Sequence, residues 1–434
     1  MEPEPWDILV SPHTGLVTHL SPQQRGPEEP APPFLYTAML AHYDFRNAHA
    51  ADRINAGKGR TRRDAKLSAL GEAVERYCAY HWDHDRVFPA RLGDLQGPVI
   101  PPDELVLYDE ERTNAPGFPY NRWNPDAPIH WVIGKMLPDG QPVNLPASMV
   151  YLTQPIAGAG DFFTPATSNG LAAGPTLEAA ILGGLNELIE RDALIIAWAN
   201  RLPCKRIDVP EDVGVSGDIL LRYRLMKLKV ELFLLPTDQP QSVVLALATD
   251  ENPAHPHKVV GMGCRLDPAA AVEQALFELC QARPSEIQRF ADRDRERSYA
   301  DYADIETLED HPAFHALPEH AHETDFLGAG GHTVALSDIS SAATGSVEGD
   351  LERTIAGLVE VGSRVAAIDL TLPDVAQAGY RVARTLATDL QPIHFGYQEE
   401  RLGGRRLFEL PVALGLRDTP ATREDLNFCP HPMA

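Results

Sequence analysis

The stretch SNGLAAGPTLEAAILGGLNELIERDA (Ser168–Ala193) reads as a polar, glycine-rich loop that runs straight into one long helix ending near Asn200. Pro175 suits the first helical turn, where its missing N–H would have been unpaired anyway. The helix is apolar around most of its circumference, because Leu185, Leu188, Ile189, Leu194, Ile195 and Ile196 surround Glu187 and Glu190. A helix of that kind is largely buried. Two glutamates three residues apart share one helix face. Burying both without compensation is expensive, and the single adjacent arginine, Arg191, cannot answer both. A cation from elsewhere is expected.

Upstream the pattern recurs in GKGRTRRDAKLSALGEAVERYCA (Gly57–Ala79). Thr61 is a helix N-cap with Asp64 three residues on, and Ala65, Leu67, Leu70, Val74 and Tyr77 form the apolar face. Glu72 and Glu75 again sit at i and i+3, with Arg76 directly after. One such pair is satisfied as an amphipathic helix edge with an internal Glu–Arg contact. Two pairs, one on a mostly apolar helix, equally fit an oxygen-rich site for Mg²⁺, which binds few carboxylates and prefers substrate phosphates as further ligands. The Gly57-Lys58-Gly59 turn and the Ser168–Pro175 loop each precede a helix, where backbone N–H groups favour phosphate. Neither is a P-loop or a GxGxxG fingerprint.

Other catalytic templates are absent: there is no HExxH, no GxSxG elbow and no kinase HRD or DFG set. The 16 histidines are dispersed without metal-ligand spacing, and His255 and His257 read as loop residues. Five cysteines, odd in number and with no CxxC, argue against a zinc site or a disulfide framework. A net charge of −24, from 62 acidic and 38 basic residues, repels a nucleic-acid backbone. No apolar run reaches the ~18 residues of a membrane helix, and MEPEPWDILVS is no secretion signal. The expected location is cytoplasmic.

Outward from the two helices, a short strand is expected near Asp7–Val10, within an N-terminal arm over 1–46. Residues 47–434 read as one α/β (mixed α+β) catalytic domain. Its expected elements are a hairpin of His130–Met136 with Val143–Leu152, strands at Val230–Leu235, Val243–Thr249, Val259–Arg265 and Ala366–Leu372, and helices at Pro268–Arg283 and Leu351–Val361. Residues 284–341 read as a charged, irregular insertion or lid.

The two long motifs resemble the signature blocks of the YcaO family, most closely its azoline-forming cyclodehydratases. The likeness extends to IHWVIG, AAIDLTLPD and the tail CPHPMA, from about Asn47 onward. It implies mixed sheets flanked by long helices, with ATP between the two signature helices. It also implies Mg²⁺ on Glu72, Glu75, Glu187 and Glu190, and nucleotide contacts from Ser68, Arg191, Glu278 and the third-motif position held by Gln274; Lys58, in the turn already read as a phosphate candidate, joins that nucleotide set. By the same likeness, ATP phosphorylates a backbone amide oxygen of a ribosomal precursor peptide after a Cys, Ser or Thr side chain attacks its carbonyl, and loss of phosphate leaves a thiazoline or oxazoline. Arg191 and, in the tail, Pro432 are the catalytic expectations. The partners implied are an E1-like leader-binding protein in trans, a flavin-dependent azoline dehydrogenase and a second copy of the chain. The sequence departs from the family at Ala179, at Gln274 in place of an arginine, and in a tail one proline short. Those departures favour a weakened scaffold subunit as one alternative. The same ATP site making thioamides or amidines is the other.

Overall fold

The computed structural model describes residues 4–41, 53–153, 159–211, 213–293, 299 and 301–433. Residues 242–249, SVVLALAT, carry no charged side chain and are buried at every position, as a strand covered on both faces must be. Among the described residues the strands are β1 (Val17–Pro22), β2 (Phe34–Leu40), β3 (Ile54–Gly59), β4 (Val87–Ala90), β5 (Ile129–Leu137), β6 (Pro142–Pro146), β7 (Leu171–Gly174), β8 (Lys205–Asp208), β9 (Lys229–Leu235), β10 (Ser242–Thr249), β11 (Lys258–Arg265), β12 (Thr333–Ala335), β13 (Val365–Asp369) and β14 (Arg381–Ala387). They form three sheets, ordered β1-β2-β3, β4-β5-β13-β14-β7 with β6 beside β5, and β11-β10-β9-β8-β12. Pairing is antiparallel except between β8 and β12. Five longer helices are α1 (Arg62–Tyr80), α2 (Leu177–Ala199), α3 (Gly214–Leu225), α4 (Pro268–Asp292) and α5 (Val347–Glu360).

The strand period of two sorts side chains into layers. Val243, Leu245 and Leu247 of β10 pack with α2, whereas Val244, Ala246 and Ala248 pack with α4. On β14, Ala383 and Ala387 face α2, while Val382 and Leu386 face the core that holds α1. Helix α2 therefore lies between the two larger sheets, which is why it is apolar all round. Helix α1 lies between the six-stranded sheet and the three-stranded one.

Several local expectations change. Residues 5–9 form a 3-10 turn that begins with Pro5 and is held by a Glu4–Asp7 capping box, not a strand. The segment expected to be an arm supplies β1 and β2, which pair with each other and with β3. Leu171–Gly174, expected as loop, is strand β7 on β14; its small residues carry no β signal, and the partner strand decides. Pro175 stands outside α2, whose N-cap is Thr176. Helix α4 continues through Pro284 to Asp292 because Glu286 and Phe290 are buried beyond it. Within 284–341, residues 294–298 and 300 lie outside the described residues; the remainder holds a short helix, Asp310–His315, 3-10 turns and β12.

Candidate active site

Two close approaches between strand or turn and helix set the glutamates. A Cβ on Gly57 would stand 2.0 Å from the Ala69 nitrogen, so only glycine lets β3 lie against α1. There the Ala56 N–H donates to Glu72 Oε2 at 2.8 Å, and Arg76 bonds the other oxygen at 2.9 Å. A Cβ on Gly184 would meet the Gly170 carbonyl at 2.5 Å, so α2 sits tightly on the Asn169–Gly170 turn. The Gly170 N–H donates to Glu187 Oε2 at 3.1 Å. Both motifs thus use a preceding backbone N–H to hold one glutamate.

The two pairs feel each other. Burial raises the Glu75 carboxyl well above its ordinary value, and Glu187 then Glu72 raise it further against Arg76 and Arg384. Burial also raises Glu187, opposed by Arg191, Gly170 and Arg384. Glu190 is pushed up to about 7, chiefly by burial, with Arg191 opposing and Glu278 adding to the rise. Burial would raise Glu278 too, but Lys58 and Arg191 hold it below its usual value. Lys58 Nζ lies 2.9 Å from Glu278 Oε2. Arg191 is 3.7 Å from Glu187 and 3.5 Å from Glu190, beyond hydrogen-bond reach. Its Nε and Nη1 are buried with no hydrogen-bond partner among the described residues.

These groups converge on a cleft of about 1390 Å³ lined by Lys58, Ser68, Glu72, Glu75, Arg76, Glu187, Arg191 and Glu278. Glu190 lies behind that wall, its side chain 6% exposed. Gln274 is absent from the wall. It lines an adjoining pocket of about 660 Å³ that shares Lys58 and Ser68, and its Oε1 accepts the Cys264 N–H at 3.3 Å. Pro432 is buried and does not line the cleft, although its neighbour His431 feels the charge of Arg191.

Sequence reasoning missed two contributors. Arg384 is buried, donates to the Met149 and Thr167 carbonyls at 3.0 and 2.7 Å, and answers Glu187 and Glu75. Its signal was an arginine inside RVARTLA, a strand-like run. Asn169 lines the cleft with a buried Nδ2 that has no hydrogen-bond partner among the described residues.

The sequence profile described as YcaO cyclodehydratase, ATP- and Mg²⁺-binding, matches residues 56–391. The chain belongs to the YcaO family. Among solved structures, a heterocyclase in complex with substrate and cofactor is similar at a TM-score of 0.79 and 25% identity, covering 99% of this chain and 56% of that one. YcaO from Methanopyrus kandleri bound with AMPPCP and Mg²⁺ shares the fold, at a TM-score of 0.62 and 23% identity over 85% and 86% of the two chains. Among sequences, an uncharacterized protein of Methanothermobacter thermautotrophicus is 31% identical over 359 residues, 81% of this chain and 85% of the relative. The Escherichia coli ribosomal protein S12 methylthiotransferase accessory factor YcaO is 25% identical over 268 residues, 55% and 42% of the two. The YcaO chain spans about half the length of the first heterocyclases it resembles. Its family binds ATP and Mg²⁺. The residues present fit that pair: buried carboxylates in excess of their arginines call for a divalent cation, and unpartnered guanidinium nitrogens suit phosphate oxygens.

Proposed function

We propose that this chain is an ATP- and Mg²⁺-dependent cyclodehydratase that forms thiazoline or oxazoline rings from Cys, Ser or Thr of a ribosomal precursor peptide. In this reading it works with an E1-like leader-binding partner. The observation that carries it is the meeting of Glu72 and Glu75 with Glu187 on one cleft that also holds Lys58, Ser68, Arg191 and Glu278.

In this reading Glu72, Glu75, Glu187 and Glu190 hold magnesium, and the planar fork of Arg191 takes phosphate oxygens in pairs. Lys58, already paired with Glu278, adds positive charge to the wall of the same cleft. When bound, magnesium ATP supplies the phosphoryl group that turns a poor amide-oxygen leaving group into a good one. Arg384 offsets part of the charge of Glu187 and Glu75.

The test incubates the purified chain with ATP, Mg²⁺, a leader-binding partner and a precursor peptide from the same gene neighbourhood. Each ring formed removes one water from the peptide, read by mass spectrometry, with one phosphate released. A product that exchanges oxygen for sulfur instead assigns the chain to thioamide formation. Absence of Mg²⁺-dependent ATP affinity in the folded protein favours the scaffold reading, which the engagement of Gln274 with the Cys264 backbone supports.

Proton linkage gives an independent check. Between the ordinary value of 4.5 and about 7, the folded chain keeps on Glu190 a proton that the unfolded chain has released. Metal-free stability therefore falls as pH rises through that window. A metal ligand must shed the proton, so magnesium binds better as pH rises. The increase in Tm given by Mg²⁺ alone is expected to grow from about pH 6 to about pH 8. A flat response would remove Glu190 from the ligand set.

A further inference from the structure

We propose that His311, His394 and His431 form a site for a transition-metal ion of the zinc class, which ties the C-terminal tail to the body of the protein. The three residues come from remote stretches: the Asp310–His315 helix, the segment after β14, and the tail. Each offers one ring nitrogen, and the three atoms lie within 4.8 Å of one another.

The hydrogen bonds define which nitrogens are free. His311 Nε2 is 2.6 Å from the Phe395 carbonyl and His431 Nε2 is 3.0 Å from the His394 carbonyl. A carbonyl only accepts, so each Nε2 carries the hydrogen and each Nδ1 keeps its lone pair. Both Nδ1 atoms are buried with no hydrogen bond of good geometry among the described residues, in side chains of residues only 1% and 0% exposed; the His431 backbone also lies near the His311 ring. Native proteins rarely leave buried polar atoms without a protein group, water or ion. A carbonyl on the remote ring nitrogen is also the usual support of a metal-bound histidine, because it selects the tautomer.

The chemistry selects the ion. Three imidazoles without a carboxylate suit zinc, copper, nickel or cobalt and not magnesium or calcium. Charges nearby temper affinity: Arg191 faces His431, Arg401 and Arg112 face His394, and Asp310 beside His311 compensates. Binding also asks for movement. His311 and His431 stack face to face, 3.8 Å between centroids and 10° from parallel. A metal at about 2.0–2.1 Å from each nitrogen needs those rings to tilt towards one point. The partly exposed His394 closes the set.

Untagged protein titrated with Co²⁺ in excess Mg²⁺ tests the site. The expected result is one Co²⁺ per chain, with the strong visible bands of a four-coordinate nitrogen site, displaced by Zn²⁺. His394→Gln, at the least buried position, is expected to weaken Co²⁺ by at least about tenfold, and His431→Ala to do the same. Replacing Glu187 and Glu190 by glutamine is expected to leave the bands intact, which separates this site from the carboxylate cleft. Stripping the metal is expected to speed amide exchange over residues 429–433. No stoichiometric Co²⁺ or Zn²⁺ on folded wild-type protein overturns the proposal. So do bands that survive both histidine changes or vanish with the glutamate changes, and exchange that ignores the metal.

Discussion

Replacing Glu187 and Glu190 together by glutamine is expected to abolish Mg²⁺-dependent ATP affinity and to lower turnover by about a thousandfold or more, roughly 4 kcal/mol of barrier. Glutamine keeps the volume of both side chains in a helix packed between two sheets, so the fold should persist. It removes the two charges that Arg191 faces at 3.7 and 3.5 Å. Arg191, left with Glu278, and the buried Arg384, left with Glu75, would then present less compensated positive charge, and metal-free ATP should bind no more weakly than before. Calorimetry with and without Mg²⁺ separates these effects, and circular dichroism checks the helices. Retained ring formation, or unchanged magnesium dependence, would show that these carboxylates hold no metal.

Arg406→Ala is expected to destabilise the chain by about 3–5 kcal/mol, the usual cost of stripping one partner from a buried ion pair. Arg406 Nη2 lies 2.7 Å from Asp192 Oδ2, and the same fork reaches Asp238 at 2.8 and 2.9 Å. Asp192, its side chain 1% exposed, also accepts the Gln391 N–H at 2.7 Å. Burial already raises Asp192, and Arg406 opposes that rise. The pair pins the back of α2, one residue from Arg191. Urea unfolding would read the loss as a lower midpoint at unchanged slope. Adding Asp192→Asn should recover part of the loss, since the charge left alone is what costs most. A loss under about 1 kcal/mol would mean that water reaches Asp192 in the native state.

How far the residues spoke for themselves varied with the range of the interaction. The Thr61 cap and the start of α1 were legible because a cap and its partner lie three residues apart. The burial of α2 was legible because an all-apolar circumference has few exposed solutions. Strand β7 was not, since LAAG carries no alternation and becomes a strand only when β14 is beside it. Pro284 looked like an ending, yet buried contacts beyond it outweigh one missing hydrogen bond. Gln274, expected to contact the nucleotide, lines the pocket that adjoins the cleft and shares Lys58 and Ser68 with it.

The sequence by itself determined that two Glu-x-x-Glu-Arg helices exist and that one of them is buried, and it set the expectation that their carboxylates meet a cation. Local spacing and the cost of burying charge are enough for that. Only the tertiary structure decided that Glu75 and Glu187 share a cleft, that Arg384 answers them, and that three dispersed histidines converge. Those meetings depend on which strand pairs with which and on helices packed across sheets. Contacts between residues far apart in the chain leave no periodic mark in it.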